Sequence, residues 1–233
     1  MPKFVYDLVE KTALQATMQG GYASRQEIVQ MLGTASVELF NHFRGKPSQL
    51  VNGRKAPGIS YQVSTQVDRA LNPFLQTREY GPSRAAGVTG LSPNGTFTAP
   101  ANMVHPTAFD TGSAYPPDVL DDGQKVYGLN DKAFGPTADF PKIEVLPAGK
   151  YRVHPAPKAL TLTYLALPPT PVYHEAEDLL TGELVYDDAA SVDVGWGRQH
   201  EPELIERTLR LLAQATKDGQ LGQTAQMLTQ DNS

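Results

Sequence analysis

Residues 160–167 read LTLTYLAL, and this stretch decides the fold. It contains β-branched and aliphatic residues without a breaker, and its second half is apolar on both faces of a strand. The pattern predicts a central strand that is covered on both sides. Residues 168–171, PPTP, then remove three backbone donors and fix φ three times, so we expect a stiff extended segment suited to docking. A second apolar stretch, VDVGW at residues 192–196, ends at the only tryptophan.

The N-terminal third of the sequence has the periodicity of helices. Residues 3–19 place apolar side chains at helical spacing, which predicts an amphipathic helix. Ser24 and Glu27 form a capping box, and the apolar stripe after them predicts a second, longer helix. Residues 60–80 resume helical spacing, so we predict a third helix that is broken or kinked at Pro73.

The middle of the chain is rich in turn-forming residues. The whole chain has 39 Gly and Pro residues, and 18 of them fall between positions 80 and 150. This concentration favours short strands and loops. We therefore predict a small antiparallel sheet with long loops. The candidate strands are residues 96–98, 102–105, 118–120, 125–129, 142–146 and 150–155.

The C-terminal part predicts helices again. Pro202 and Glu203 suit the first turn of a helix with a wide apolar face, and Asp218 can cap a last short helix. The predicted fold class is therefore α+β, with N-terminal α-helices, a central loop-rich antiparallel β domain and C-terminal helices. The sequence divides into a helical region at 1–80, a loop-rich β region at 81–175, and a linker with helices at 176–233, which we expect to form one compact subunit.

The composition excludes several classes of protein. The chain has 233 residues, no cysteine and a net charge of −5, which argues against disulfide scaffolds and proteins that wrap nucleic acid. No signal peptide or membrane helix is predicted, so we expect a soluble protein made in the cytoplasm. The charge is uneven, because residues 1–58 carry +3 and residues 174–233 carry −8. Two solvated faces or head-to-tail docking of subunits would both produce this pattern.

The residues that carry chemistry form no strong constellation. The five histidines are too scattered for a metal site, and no phosphate-binding or nucleophile motif is present, so we predict no metal, no cofactor and no catalysis. Two alternatives stay open. One is an unrecognised carboxylate site, for which turn and cap roles are the simpler interpretation; its candidates are Asp121, Asp122, Asp187, Asp188 and Asp193. The other is a glycan-binding or receptor-binding module, for which buried anchoring of the rings is simpler. The aromatic candidates for that module are Trp196, Tyr164, Tyr173 and Tyr186.

An ordered series of short motifs resembles a family of virion structural proteins of tailed bacteriophages, especially those of Bacteroidota-like hosts. The series begins with APANMVH at residues 99–105, includes PTADFP at 136–141 and YRVHP at 151–155, and ends with SVDVGW at 191–196. With the N-terminal phrase VELFN at 37–41, it covers most of the chain. The resemblance implies a component of the neck, or head-to-tail connector.

Such a component forms an oligomeric ring between portal and tail. The resemblance implies that the protein resides in the virion neck as a cyclic homo-oligomer, which we expect to be a dodecamer. Its partners would be other copies of itself, the portal and tail or neck proteins, with a possible passing contact to genomic DNA and none to membrane. The basic residues after the second helix and the proline and aromatic residues around the exit segment are the candidate interface. These residues are Arg44, Lys46, Arg54, Lys55, Pro168, Pro169, Pro171, Tyr173 and Trp196.

Overall fold

The chain folds into two compact units. In the computed structural model, residues 1–73 and 168–233 form the first unit and residues 74–167 form the second. The α+β class predicted from the sequence is confirmed, with N-terminal helices, strands in the middle and a C-terminal helix. The structure describes residues 3–18, 21–45, 50–51, 54–55, 69–81, 89–120, 125–131, 135–178 and 182–216.

The described helices and strands are grouped along the chain. Two long helices come first, the strands of the second unit follow, and a hairpin precedes the last helix. In chain order they are α1 (Phe4–Met18), α2 (Arg25–Gly45), β1 (Leu50–Val51), β2 (Arg54–Lys55), β3 (Leu75–Gly81), β4 (Thr89–Gly90), β5 (Thr96–Thr98), β6 (Met103–Asp110), β7 (Asp118–Leu120), α3 (Lys125–Asn130), β8 (Lys142–Leu146), β9 (Lys150–His154), β10 (Leu160–Ala166), β11 (Glu175–Glu177), β12 (Leu184–Tyr186) and α4 (Glu201–Thr216).

The first unit is built on α1, α2 and α4, which contact one another in all three pairs. Each helix buries one apolar stripe, as its periodicity predicts. The capping box at the start of α2 is confirmed, since the Glu27 amide donates to Ser24 Oγ at 3.3 Å and the Ser24 amide donates to Glu27 Oε2 at 2.8 Å. These hydrogen bonds from Ser24 lower the pKa of Glu27. The buried side chains of the three helices include Leu8, Ile28, Leu39, Phe40, Leu204, Leu209 and Leu212.

A residue from the other end of the chain caps α1. Asp193 Oδ1 accepts a hydrogen bond from the Val5 amide at 3.0 Å, and Asp193 Oδ2 accepts one from the Phe4 amide at 3.3 Å. The first amides of a helix have no partner within the helix, and a negative charge beside them is favourable. Asp193 therefore fixes the start of α1 to the segment that leads into α4.

The second unit consists of two four-stranded sheets that enclose an aromatic core. One sheet has the order β4-β3-β10-β6 and the other β5-β9-β8-β7. The predicted central strand is confirmed, because β10 pairs with β3 on one side and β6 on the other. Tyr80, Phe97 and Tyr151 come together in the core, with ring centroids 4.6 Å apart for Tyr80 and Phe97 and 5.5 Å for Phe97 and Tyr151.

The structure corrects the prediction of a helix over residues 60–80. Residues 69–71 are helical and Asn72–Phe74 form a 3-10 turn, but Leu75–Gly81 is strand β3. Pro73 ends the helix, and pairing with the full length of β10 then outweighs the local helical spacing.

The predicted strand at residues 125–129 is also wrong, because this segment is helix α3. Gly128 lies so close to Leu120 that an added Cβ would come within 2.9 Å of its Cδ2, and Lys142 Nζ donates to the Gly128 carbonyl at 2.9 Å. These contacts with β7 and β8 favour the helix.

Two details of the sheet prediction change as well. Strand β6 is longer than predicted and contains Pro106, which the chain tolerates because β6 is the edge of its sheet. The β3–β4 and β7–β8 pairs are parallel, although the other pairs are antiparallel as expected. The predicted last helix from Asp218 and the predicted helical residues 60–68 lie outside the described residues.

We expect the Asp193 cap to contribute measurably to stability. Asp193→Ala should lower the free energy of unfolding by about 1 kcal/mol, because the first amides of α1 lose their acceptor. Asp193→Asn, which keeps one side-chain oxygen, should lose less. Chemical denaturation of the three proteins measures the difference, and an unchanged stability of Asp193→Ala would contradict the assignment of a cap.

The buried Tyr80 predicts a loss of stability at high pH. Burial raises the pKa of Tyr80 to about 12, so the folded chain retains a proton that the unfolded chain releases above its ordinary pKa near 10. The stability that depends on protonated Tyr80 is fully present below about pH 10 and is lost as the pH rises towards about 12. At about pH 11 we expect the ionisation of Tyr80 to lower the free energy of unfolding of the unmodified protein by roughly 1 kcal/mol. Tyr80→Phe should not show this decrease.

Urea denaturation between about pH 8 and pH 11 measures this difference. Tyr22→Phe is the matched control, since Tyr22 is 87% exposed and should leave the pH dependence unchanged. Equal slopes for the Tyr80 variant and the unmodified protein would contradict the prediction.

Candidate functional site

The hairpin β11–β12 is attached to α1 through three tyrosines. Tyr186, on β12, lies with its ring centroid 4.9 Å from that of Tyr6 on α1 and 5.1 Å from that of Tyr173. Tyr6 and Tyr173 are nearly parallel, with centroids 6.2 Å apart. Aromatic contacts of this kind stabilise beyond the area that they bury. The hairpin is therefore held in a defined position on the helical unit.

A charged network next to the tyrosines reinforces this attachment. Glu10 Oε1 accepts hydrogen bonds from Arg25 Nε at 2.8 Å and from the Tyr173 hydroxyl at 3.1 Å. Arg25 also lies 3.2 Å from Glu175, the first residue of β11. The hydrogen bond with Glu10 raises the pKa of Arg25, while burial and the Glu10 carboxylate raise the pKa of Tyr173. Both groups thus remain protonated and keep α1, α2 and the hairpin together.

The proline segment packs inside the first unit at two of its three prolines. Pro168 and Pro171 are buried, and only Pro169 is exposed. Pro171 lies against Gly33 of α2, where an added Cβ would stand 3.3 Å from the proline Cδ. The segment is extended, as expected, but most of its apolar surface is already covered by the chain itself.

Trp196, another predicted interface residue, is a core anchor. Its indole Nε1 donates to Ser36 Oγ at 2.8 Å, and its ring lies 5.9 Å from Phe43 and 5.1 Å from His200. The side chain is only 5% exposed. A ring in this position stabilises the packing of α2 against the start of α4 and is not available to a ligand.

The four aromatic residues of the glycan alternative do not share one surface. Tyr164 is buried in the core of the second unit, whereas Trp196 is buried in the first. Tyr173 and Tyr186 are partly exposed but stack on each other and on Tyr6. The arrangement matches the simpler interpretation of buried anchoring for Trp196 and Tyr164.

The carboxylates of the enzyme alternative make turns and caps. Asp187 Oδ1 accepts hydrogen bonds from the amides of Ala189 and Ala190 at 2.9 and 3.3 Å. Asp188 Oδ1 accepts one from the Lys3 amide at 2.9 Å. Over the described ranges, no group of three or more His, Asp or Glu side chains is placed to hold a metal ion. Asp121 and Asp122 lie outside the described residues.

The basic candidates after α2 are described only in part. Arg44 is exposed in the last turn of α2, and Arg54 and Lys55 form strand β2, which pairs with β1 as a short hairpin. Lys46 lies outside the described residues. A basic contact for DNA or an acidic protein therefore stays a prediction for this region.

The two oppositely charged segments pair with each other inside the first unit. Lys11 forms an ion pair with Glu201, and Arg198 lies 2.9 Å from Asp7. Arg210 of α4 reaches Glu38 of α2 at 2.8 Å. Such pairs contribute little each, and of these three only Lys11 with Glu201 joins the excess positive charge of residues 1–58 to the excess negative charge of residues 174–233.

The sequence patterns did not predict the exposed apolar side chains on two elements of the first unit. Met18 at the end of α1 is 77% exposed and stands beside exposed Leu14 and Tyr22, which we call the helix patch. Leu184 and Val185 of β12 are 68% and 51% exposed; as neighbours on a strand they point to opposite faces of the hairpin, and we call these two side chains the hairpin patch. A signal was present, since Leu14 and Met18 lie four residues apart, off the buried stripe of α1.

No helix in the described part of the chain has the length and apolar character of a membrane span.

Exposed apolar groups such as those of the helix patch and the hairpin patch are typical of contacts with other molecules. The helix patch also borders a cleft of about 380 Å³ that Ala13, Thr17 and Ala23 help to line. The two patches are thus the best-supported candidate surfaces on the first unit.

No protein-family model matches this chain, and no curated protein matches it either. The likeness to phage connector proteins therefore rests on the ordered motifs of the sequence. Function has to be inferred from the residues and the surfaces that they form.

Proposed function

We propose that this chain is a structural component of a tailed-phage virion that forms an oligomeric neck or connector ring between portal and tail. The ordered motif series supports the class of protein. The role is one of shape and contact, without catalysis or a cofactor, and the place of the protein is the neck of the virion. Portal and tail proteins are the neighbours above and below the ring.

The observation that carries the proposal is the pair of exposed apolar patches on the first unit. A ring of identical subunits uses head-to-tail contacts, in which one surface of each copy meets a different surface of the next. The helix patch and the hairpin patch lie on different elements and are both apolar. The hairpin patch of one copy would dock against the helix patch and its cleft on the next copy.

The rigid attachment of the hairpin supports this role. A ring closes only if each contact repeats at the same angle, so the docking element has to be fixed relative to the body of the subunit. The contacts of Tyr6, Tyr173 and Tyr186 and the ion pairs of Arg25 provide that fixation. Pre-organised contacts also lose less entropy when the copies associate.

The basic residues after α2 suit a place near the genome. Arg44 is exposed at the end of α2, and Arg54 and Lys55 follow on β2. In a ring through which DNA passes, such residues would make transient contacts with phosphates. Because the whole chain carries a charge of −5, these contacts would not dominate its binding.

We expect the purified chain to form a closed oligomer that single substitutions in either patch disrupt. Met18→Asp and Val185→Asp each place a carboxylate in the proposed contact and should weaken association about 100-fold or more. A mixture of the two variants should form dimers but no rings, because each mixed pair retains one intact contact. Native mass spectrometry measures all four samples.

The matched control is Val119→Asp, which adds the same charge at an exposed apolar position of the second unit. It should leave the oligomer intact, and circular dichroism should show that all variants remain folded. A chain that stays monomeric at every concentration would overturn the ring. If each patch variant forms dimers by itself, and the mixture contains no dimer that combines the two variants, the head-to-tail arrangement is overturned.

A further inference from the structure

The second unit has an open cleft that the proposed ring does not use. Its volume is about 500 Å³, and it is lined by residues 110–113 and 155–161 together with Ala138 and Pro141. Its polar side chains include Asp110, Lys158 and Thr161. Register places Asp110 directly opposite Thr161 on neighbouring strands β6 and β10, so the two side chains lie on the same face of the sheet.

Two of these polar groups have no hydrogen-bond partner among the described residues. They are Lys158 Nζ and Thr161 Oγ1. Asp110 uses Oδ1 to accept a hydrogen bond from the Gly112 amide at 2.8 Å, and its carboxylate is exposed. The cleft therefore offers a cation, a carboxylate and a hydroxyl, each with unused hydrogen-bonding capacity.

An aromatic pair adjoins the cleft-lining residues along the chain, because Tyr115 follows Ser113 by two positions and Phe140 stands between Ala138 and Pro141. The rings of Tyr115 and Phe140 are stacked with centroids 4.4 Å apart and an interplanar angle of 12°, and each residue is 53% exposed. Two adjoining exposed rings form a larger contiguous apolar surface than a single exposed side chain, and such surfaces are typical of binding sites. Contact between the rings covers one face of each and leaves the outer faces available.

The loops of the cleft hold both rings in place. Ser113 Oγ, within the cleft lining, donates to the Tyr115 carbonyl at 2.7 Å. On the other loop, the Phe140 amide donates to Thr137 Oγ1 at 3.1 Å, and the Thr137 amide donates to the Phe140 carbonyl at 3.1 Å. Tyr115 and Phe140 are thus held by the two segments that supply Ser113, Ala138 and Pro141 to the cleft, and we treat the cleft and the two rings as one candidate site.

We infer that this site binds a neutral saccharide. A sugar ring has an apolar face of C–H groups that packs against an aromatic ring and a rim of hydroxyls that both donate and accept hydrogen bonds. Asp110 would accept from sugar hydroxyls, and Lys158 and Thr161 would bind other oxygens. The site is distinct from the aromatic set around Trp196, and it is independent of the proposed ring contacts.

The geometry disfavours two other ligands of aromatic sites. A proline-rich peptide docks in grooves between aromatic side chains, but Tyr115 and Phe140 lie too close together for a ring to enter between them. Single-stranded nucleic acid needs a basic groove beside its stacking residues. Here Asp110 lines the cleft, Asp139 precedes Phe140, and residues 74–167 contain eight Lys or Arg and eight Asp or Glu.

A glycan array of neutral and acidic oligosaccharides, probed with the full chain, tests the inference. We expect binding to neutral glycans, and titration of the best one should show about tenfold or greater weakening for Tyr115→Ala and Phe140→Ala. Tyr115→Phe, which retains the ring, should bind like the unmodified protein. Asp110→Asn should weaken binding, and NMR shifts on titration should include the Gly112 and Ser113 amides.

Val119→Ala is the matched control, because it removes an exposed apolar side chain of the same unit that does not line the cleft, and it should not change binding. Thermal denaturation checks that the variants are folded. The inference is overturned if no neutral glycan binds, if only acidic glycans or single-stranded DNA bind, or if neutral glycans bind equally well to the two ring-removing variants. Failure of this test would leave the ring proposal untouched, since that proposal is read out by oligomeric state.

Discussion

The antiparallel pairing of β3 with β10 is the constraint on which the architecture depends. These are the first and last strands of the second unit, and Leu75 lies opposite Leu165 in their register. The chain therefore enters and leaves the second unit side by side. Only this arrangement lets residues 1–73 and 168–233 return to each other and share one helical core.

Once the chain has left β10, the segment before α4 completes the first unit through three side-chain contacts and one backbone bridge. Pro171 fits against Gly33, Asp193 caps α1, Trp196 bonds to Ser36, and Val172 bridges Val192. Each contact joins residues more than 15 positions apart. Such contacts cost loop-closure entropy before they form, so we infer that the segment orders late and depends on preformed helices.

Local pattern was sufficient for the elements whose stability is local. The capping box of Ser24 and Glu27 and the apolar run of β10 predicted a helix and a central strand correctly, because the signals lie within the elements themselves. Strand β3 and helix α3 were missed, because their conformations depend on β10 and on Leu120, which are distant in sequence or on another element. Among the interface candidates, Trp196 is buried in the first unit. Periodicity does not tell whether Trp196 faces a core or a partner.

The contrast between the aromatic residues shows where sequence reasoning about surfaces stops. Trp196 and Tyr164 adjoin apolar stretches and are buried, whereas Tyr115 and Phe140 lie in polar, proline-rich loops and are exposed as a stacked pair. Rings in loops have no apolar strand to pack on, so exposure has to be stabilised by the loop itself, here by hydrogen bonds of Ser113 and Thr137. Because the two patches of the first unit are mainly aliphatic, whereas the stacked rings of the second unit adjoin segments with polar side chains, these surfaces are suited to different partners. An aliphatic patch favours another protein surface, and a ring beside a carboxylate favours a small polar ligand.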